Sequence, residues 1–178
     1  QPTQVKPSLQ SILAGVDRLE KITENYLKLS RLSSGQKKQI DLGVVLERVL
    51  ATYASLCESQ GVKVDWRREQ RAVLTVNGDA DLIEQALGNL LRNSIQAGAT
   101  EIHFPLGNTE TQKVWLKIQD NGPGIPSEIK EKLFSPFVTT RAEGTGLGLS
   151  FVKQVFEEHG GDIVYQEQSK GACFEMTI

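Results

Sequence analysis

The sequence predicts an α+β fold: a mixed sheet with helices on one face, preceded by a long helix. Three observations lead there. From Asp41 onward, helical and strand-like stretches are interspersed without the strict alternation of a doubly wound sheet. The first 38 residues instead carry one continuous helical stripe. The chain, 178 residues with 39% hydrophobic and 24% charged positions, can bury a full core, and its composition is that of a globular protein.

Taken in order, Leu9, Ile12, Val16, Leu19, Ile22, Tyr26 and Leu29 recur at steps of three and four, so Ser8 to Leu32 reads as an amphipathic helix. Asp17, Arg18, Glu20, Lys21, Glu24 and Lys28 cover its other face, and the apolar stripe needs a hairpin partner or a second chain. Ser33-Ser34-Gly35-Gln36-Lys37-Lys38 is a polar hinge, which divides the chain into segments 1–38 and 39–178. Asp41 can cap a helix running to about Gln60 and stopped by Gly61. Val62 to Trp66 and Ala72 to Val76 read as strands, and Asn77-Gly78-Asp79 as a turn. Leu82 to Ala97 is a strong helix ending at Gly98. Glu101 to Phe104 and Val114 to Gln119 read as strands on either side of a loop. A Gly/Pro-rich break at 120–124 precedes a short helix near Ser127 to Leu133 and an irregular stretch to Gly146. Leu147 to Glu158 is helical and ends at His159-Gly160-Gly161, and Asp162 to Gln166 and Ala172 to Ile178 close the chain as a hairpin.

Charge and cysteine usage exclude several classes. A formal net charge of -2 argues against nucleic-acid binding by counterion release. Cys57 and Cys173 form neither a C-x-x-C nor a metal spacing, which points to a reducing compartment. No apolar run reaches the roughly 18 residues of a membrane span, so the chain is expected to be cytoplasmic and free of membrane contact, as part of a protein that a membrane could still anchor.

Three constellations carry chemistry, each with a plainer alternative. Asn89, Asn93 and Gln96 share one stripe of the predicted 82–97 helix. Asn is a poor helix-interior residue, and an uncharged amide oxygen suits Mg²⁺, a hard ion that keeps its waters and takes phosphate oxygens; the alternative is a solvated polar face. Asp120-Asn121-Gly122-Pro123-Gly124 ends a strand. Its carboxylate can accept from an exocyclic amine such as adenine's, and its glycines admit a flat ring, although such a run is also an ordinary turn. Gly144-Thr145-Gly146-Leu147-Gly148-Leu149 opens a helix whose free N–H groups suit phosphates, yet it is neither a Walker motif nor a dinucleotide fingerprint.

In order, the chain holds the Asn pair, Asp-x-Gly-x-Gly, Phe134-x-Pro136-Phe137 and Gly-Thr-Gly-Leu-Gly-Leu. This resembles the ATP-binding catalytic domain of two-component sensor histidine kinases, within the wider GHKL group, over Asp41 to Ile178. The front helix resembles the second helix of the dimerisation and phosphotransfer hairpin. The resemblance implies a two-layer α/β sandwich with a Bergerat-type ATP site. It implies that Asn93 coordinates Mg²⁺ and Asn89 supports the ion and phosphates. Asp120 would take the adenine amino group, with Gly122 and Gly124 shaping that wall. Residues from about Pro126 to Gly144 would form a mobile lid anchored by Phe134 and Phe137. Gly144, Thr145, Gly146, Leu147 and Gly148 would root the lid and meet the phosphates, with Thr139, Thr140 and Arg141 as further contacts. The implied activity is transfer of the ATP γ-phosphoryl to a histidine on a hairpin helix, with a homodimer mate and a response regulator as partners.

Two departures from the family pattern stand out. The chain holds no phosphoacceptor box, since its histidines are His103, on a strand and opposite Ile102 and Phe104, and His159, at a helix end where a partly charged imidazole would meet the dipole. Where many relatives carry a Lys three residues after the metal Asn, here Gln96 stands, so Arg92 or Arg141 would have to compensate. The rival functions are a GHKL ATPase of the repair or chaperone kind and a non-catalytic nucleotide sensor. ATPases of that kind place a proton-accepting Glu where this chain has Asn89.

Overall fold

Val114-Trp115-Leu116-Lys117-Ile118-Gln119-Asp120 alternates between buried and half-exposed positions, and this strand lies at the centre of the sheet. The computed structural model describes residues 15, 16, 23, 37–66, 74–109, 113–141 and 144–178. Its elements run β1 (Lys38–Asp41), α1 (Leu42–Ser59), β2 (Lys63–Asp65), β3 (Thr75–Gly78), α2 (Ala80–Gln96), β4 (Glu101–His103), β5 (Leu106–Asn108) and β6 (Val114–Asp120). Then follow α3 (Ser127–Lys130), α4 (Gly148–Glu158), β7 (Asp162–Gln166) and β8 (Cys173–Thr177). Of the expected front helix, Gly15, Val16 and Thr23 are helical and the rest lies outside the described residues.

The main sheet has the order β2-β4-β6-β8-β7, with only the β2–β4 pair parallel. β5 pairs with the same edge of β6 as β4 does and continues its register, from Ile102 opposite Asp120 to Asn108 opposite Val114. The two are one strand interrupted at Phe104-Pro105. Pro105 has no N–H for the ladder, although its carbonyl still accepts from the Lys117 amide at 2.8 Å.

Helices α1, α2 and α4 cover one face. Leu42, Val45, Leu46 and Val49 of α1, Ile83, Leu87, Leu90 and Leu91 of α2, and Phe151, Val152, Val155 and Phe156 of α4 are buried in one core with Ile102, Leu116, Ile118, Ile163 and Met176 of the sheet. This is the α+β sandwich that the sequence predicts. The other face is polar: Lys117 pairs with Glu175 at 2.7 Å and lies over the Trp115 ring at 5.5 Å.

The helix boundaries follow their caps. The Asp41 carboxylate accepts from the Gly43 and Val44 amides, and Asp79 does the same for Asp81 and Leu82. Gly61 and Gly98 end α1 and α2 in the left-handed region, at φ 66 and 84. The expected turn at Asn77-Gly78 is instead the end of β3, paired with Gln39 and Lys38 of β1. A strand partner that the hinge composition hid has extended it.

His159 also differs from expectation. It is buried, and its Nε2 accepts the Asp79 amide at 2.9 Å while Nδ1 meets the Val155 carbonyl. An imidazole that accepts through Nε2 is neutral, so it acts as a clasp between the end of α4 and the start of α2 rather than as a partial charge on the dipole. Gly78 leaves room for it, since a Cβ there would sit 2.8 Å from the His159 ring.

Replacing His159→Ala is expected to strand the Asp79 amide and cost about 1–3 kcal/mol, read as a lower urea midpoint at unchanged m-value. Burial pushes the Cys57 and Cys173 thiols above their ordinary range. Both should resist a thiol reagent at pH 8 in the native protein and react once it is unfolded. Because the folded state holds these protons more tightly, their contribution to stability is complete below the ordinary thiol range. It should fall as pH rises through that range, visible as a declining denaturation midpoint.

Candidate functional site

The period of β6 carries Asp120 to the same face as Val114, Leu116 and Ile118, so a carboxylate stands at the end of a buried row. It is 8% exposed. Burying a charge this far requires donors, and three are present. Ser94 Oγ, from the last turn of α2, donates to Oδ2 at 2.8 Å. The Gly122 and Ala172 amides donate to Oδ1 at 2.9 and 3.1 Å. A carboxylate has about four acceptor positions. Among the described residues three are used, which leaves capacity on Oδ2 for one further donor.

The wall beside it is built of glycines. Gly171 has φ 77, and a Cβ on it would lie 1.7 Å from the Asp120 carbonyl oxygen. Gly124 has φ 78, and its Cβ would come within 2.9 Å of the Gly171 carbonyl. A Cβ on Gly122 would lie 3.0 Å from the Asp120 Oδ1. Asn121 faces the other way and pins the end of β6 to the start of β4, accepting the Thr100 and Glu101 amides at 2.9 and 3.0 Å. Sequence reasoning singled out Asp120, Gly122 and Gly124 but missed Ser94 and Gly171. The signal for Ser94 was a small hydroxyl on the α2 turn that carries Asn93. For Gly171 the sequence offered only a hairpin glycine.

On α2, Asn89 and Asn93 are half-buried, and among the described residues no hydrogen bond engages either side-chain amide. Arg92 does not join them: it donates to the Tyr53 hydroxyl at 3.1 Å and lies over that ring, toward α1. Arg141 reaches α2 at Gln96, whose side-chain carbonyl accepts from its guanidinium. No cluster of three or more His, Cys, Asp or Glu capable of holding a metal occurs among the described residues. The half-buried Asn89 and Asn93 amides offer uncharged oxygens, a donor type compatible with a hard ion that brings its own phosphate oxygens and waters.

The segment between β6 and α4 has two halves. The first is anchored. Leu133 is buried, Phe134 meets Phe174 edge-on with ring centres 6.2 Å apart, Lys153 covers the Phe134 ring, and Lys130 pairs with Glu167. The second half is a pinched loop. The Phe137 amide donates to the Gly146 carbonyl at 2.9 Å, and the Gly146 Cα packs so close to the Phe137 backbone that a Cβ would fall 2.4 Å from its carbonyl carbon. Phe137 itself has φ 67 and is 67% exposed. It anchors the lid through its backbone rather than through its ring. Within the loop, Thr139 Oγ1 accepts the Arg141 amide at 3.1 Å, and the Arg141 carbonyl accepts the Gly144 amide at 3.1 Å. Thr139 is thus a turn-former, while Thr140 is exposed. Thr145 Oγ1 accepts the Leu147 amide at 3.4 Å, and Leu147 is buried. No side chain caps α4, so the first-turn N–H groups that begin at Gly148 are its open donors. An open cleft at the other end of the sheet, lined by Lys37, Asn77, Glu158 and His159, includes none of these residues.

Comparison with known proteins agrees with the fold. Residues 78–178 match the family model described as histidine kinase-, DNA gyrase B-, and HSP90-like ATPase. The chain is 32% identical over 176 residues to the signal transduction histidine-protein kinase AtoS of Escherichia coli, covering 96% of this chain and 28% of that protein. It spans about a third of the length of the curated relatives it matches. Among solved structures, the catalytic domain of the histidine kinase ThkA superposes with a TM-score of 0.69 at 31% identity, covering 80% of this chain and 95% of that one. ThkA in complex with the response regulator protein TrrA gives 0.75 at 29% identity, covering 100% and 52%. An α+β sandwich with a buried strand-end aspartate, an amide-bearing helix and a glycine-rooted lid, matched by the family model over its C-terminal 101 residues, belongs to the histidine kinase-, DNA gyrase B- and HSP90-like ATPase family.

Proposed function

We propose that this chain is the ATP-binding catalytic part of a sensor histidine kinase, which moves the γ-phosphoryl of ATP to a histidine on a helical hairpin. The carrying observation is the unfilled acceptor position on the buried Asp120 carboxylate, bounded by a glycine wall that a flat base can approach. Asp120 would accept the adenine amino group there. Asn89 and Asn93 would face the phosphates from α2, and the lid root and the α4 N-terminus would offer N–H donors to them. Asn93 would hold Mg²⁺, which when bound supplies charge neutralisation and phosphate orientation.

A kinase rather than an ATPase is supported by what α2 lacks. Asn89, one turn before Asn93, cannot take a proton from water. The acids of α2, Asp81 and Glu84, lie toward its other end, and Glu84 is engaged by Arg48 of α1 at 3.3 Å. Phosphoryl transfer needs mainly positioning and charge neutralisation, which amides and backbone donors can give. Neither histidine of the described fold suits the acceptor role. His159 is buried, and His103 pairs with Asp65 on the sheet face away from the helices. In this reading residues 1–38 form the second helix of the hairpin and 39–178 the ATP-binding domain. The partners are that hairpin, a homodimer mate and a response regulator such as the one ThkA binds in its solved complex. Among the described residues no helix is long and apolar enough to cross a membrane, in keeping with a cytoplasmic place in a protein that a membrane can anchor.

Two variants of Asp120 separate binding from folding. In Asp120→Asn the amide oxygen can keep the Gly122 and Ala172 bonds while the NH₂ donates to Ser94, so stability should change little. The same NH₂ repels an adenine amine, and ATP affinity should drop about 10- to 100-fold by calorimetry. Asp120→Ala leaves three donors without an acceptor and should cost about 1–3 kcal/mol in stability as well. GTP binding as tight as ATP binding would contradict the assignment of Asp120. Asn93→Ala should retain most adenine affinity but lose its dependence on added Mg²⁺. Incubated with γ-labelled ATP and a separate hairpin bearing an acceptor histidine, the chain should label the hairpin and not itself. Acid-labile phosphate on His103 or His159 would overturn the reading.

A further inference from the structure

The site-facing positions of α2 are all uncharged. Asn89, Asn93 and Gln96 succeed one another along one stripe, and Arg92 is turned away to Tyr53. Among the described residues, the one guanidinium that reaches this stripe comes from the lid loop, and it reaches Gln96, three residues beyond Asn93. The loop holds Arg141 for this. Its neck is closed by the Phe137–Gly146 hydrogen bond, and the Arg141 amide and carbonyl are tied to Thr139 and Gly144 on either side. These ties fix the local shape of the loop around Arg141. One N–H of the guanidinium goes to Gln96, and an arginine has five.

We propose that Gln96 is a positioning residue whose side-chain carbonyl docks Arg141 beside Asn93, so that this lid arginine is the cation the triphosphate meets. The proposal rests on the assignment of this site to ATP. Gln96 contributes no charge and touches no phosphate. It accepts one N–H of the planar fork, and the remaining donors stay available to phosphate oxygens. An amide is suited to the task because it accepts without neutralising: a carboxylate at the same place would pair with Arg141 and add negative charge beside the phosphates.

The test is calorimetric binding of Mg·ATP and of adenosine to the parent chain, the single variants Gln96→Ala and Arg141→Ala, the double variant, and Gln96→Lys combined with Arg141→Ala. Arg141→Ala should weaken ATP about 10- to 100-fold and leave adenosine unchanged. Gln96→Ala should weaken ATP by a smaller factor, about 3- to 10-fold, again without effect on adenosine, and should add nothing when Arg141 is already absent. Gln96→Lys in the Arg141→Ala background should restore much of the lost ATP affinity, because the ammonium then rises from α2 itself. Equal loss of ATP and adenosine in Gln96→Ala would mark a structural role and overturn the proposal. So would additive single effects, or a Lys that rescues no better than Ala. A parent chain that binds adenosine and ATP with uncoupled variants overturns the positioning role alone. A parent that binds neither removes the nucleotide assignment and the proposal together.

Discussion

The buried carboxylate of Asp120 ties four parts of the molecule to one point. Its donors come from the last turn of α2, from the glycine-rich break after β6 and from the start of β8, and it sits itself on the central strand. A charge at this depth is stable only while those donors are in place. The positions of Ser94, Gly122 and Ala172 are therefore set together. The tight approach of Gly171 to the Asp120 backbone follows from the same closure, since β8 cannot reach its register without passing there. The site is not an addition to the fold. It is the place where helix layer and sheet are locked end to end.

Much of this was legible in the sequence, and the exceptions have physical causes. Amphipathic periods announced α1, α2 and α4, and Asp41, Gly61 and Gly98 bound the first two as their side chain and φ freedom suit them to; the capping role of Asp79 was hidden in a stretch that reads as a turn. β1 and β5 were missed because each is short and holds a single large apolar residue, Ile40 and Leu106, so neither has a period of its own. β1 exists through β3, which lies far along the chain, and β5 through β6, which follows it after a short connection. At the site, the motif glycines and Asp120 were visible as types in a pattern. Ser94 was not, because its role depends on a strand end 26 residues away. His159 could be placed at a helix end but not oriented, since its partner, the Asp79 amide, is 80 positions distant. Phe137 could be read as a lid anchor, but nothing in the sequence told that the contact is made by its left-handed backbone while its ring stays exposed.

The two halves of the lid segment divide the labour by the kind of contact each makes. The half before Pro136 is held by aromatic and apolar burial against β8, which is insensitive to small shifts and resists withdrawal. The half after it is held by a few hydrogen bonds within a short loop and one side chain that crosses to α2. Such a loop can keep its internal shape while its outward contact changes, so any rearrangement belongs to the crossing side chain and the neck, not to the anchor.

The ends of the sheet have a bearing on how the protein behaves at high concentration. Among the described residues β2 and β7 are its outermost strands, and an outer strand offers unpaired N–H and C=O groups to a neighbouring molecule. β2 is only three residues long and has a charge at each end, Lys63 and Asp65. β7 begins with Asp162, which is held by Lys153, and is followed by Glu167, which is held by Lys130. A second copy adding itself to either edge would have to desolvate these charges before gaining a ladder bond. Growth of the sheet across molecules is thereby opposed at both of its borders.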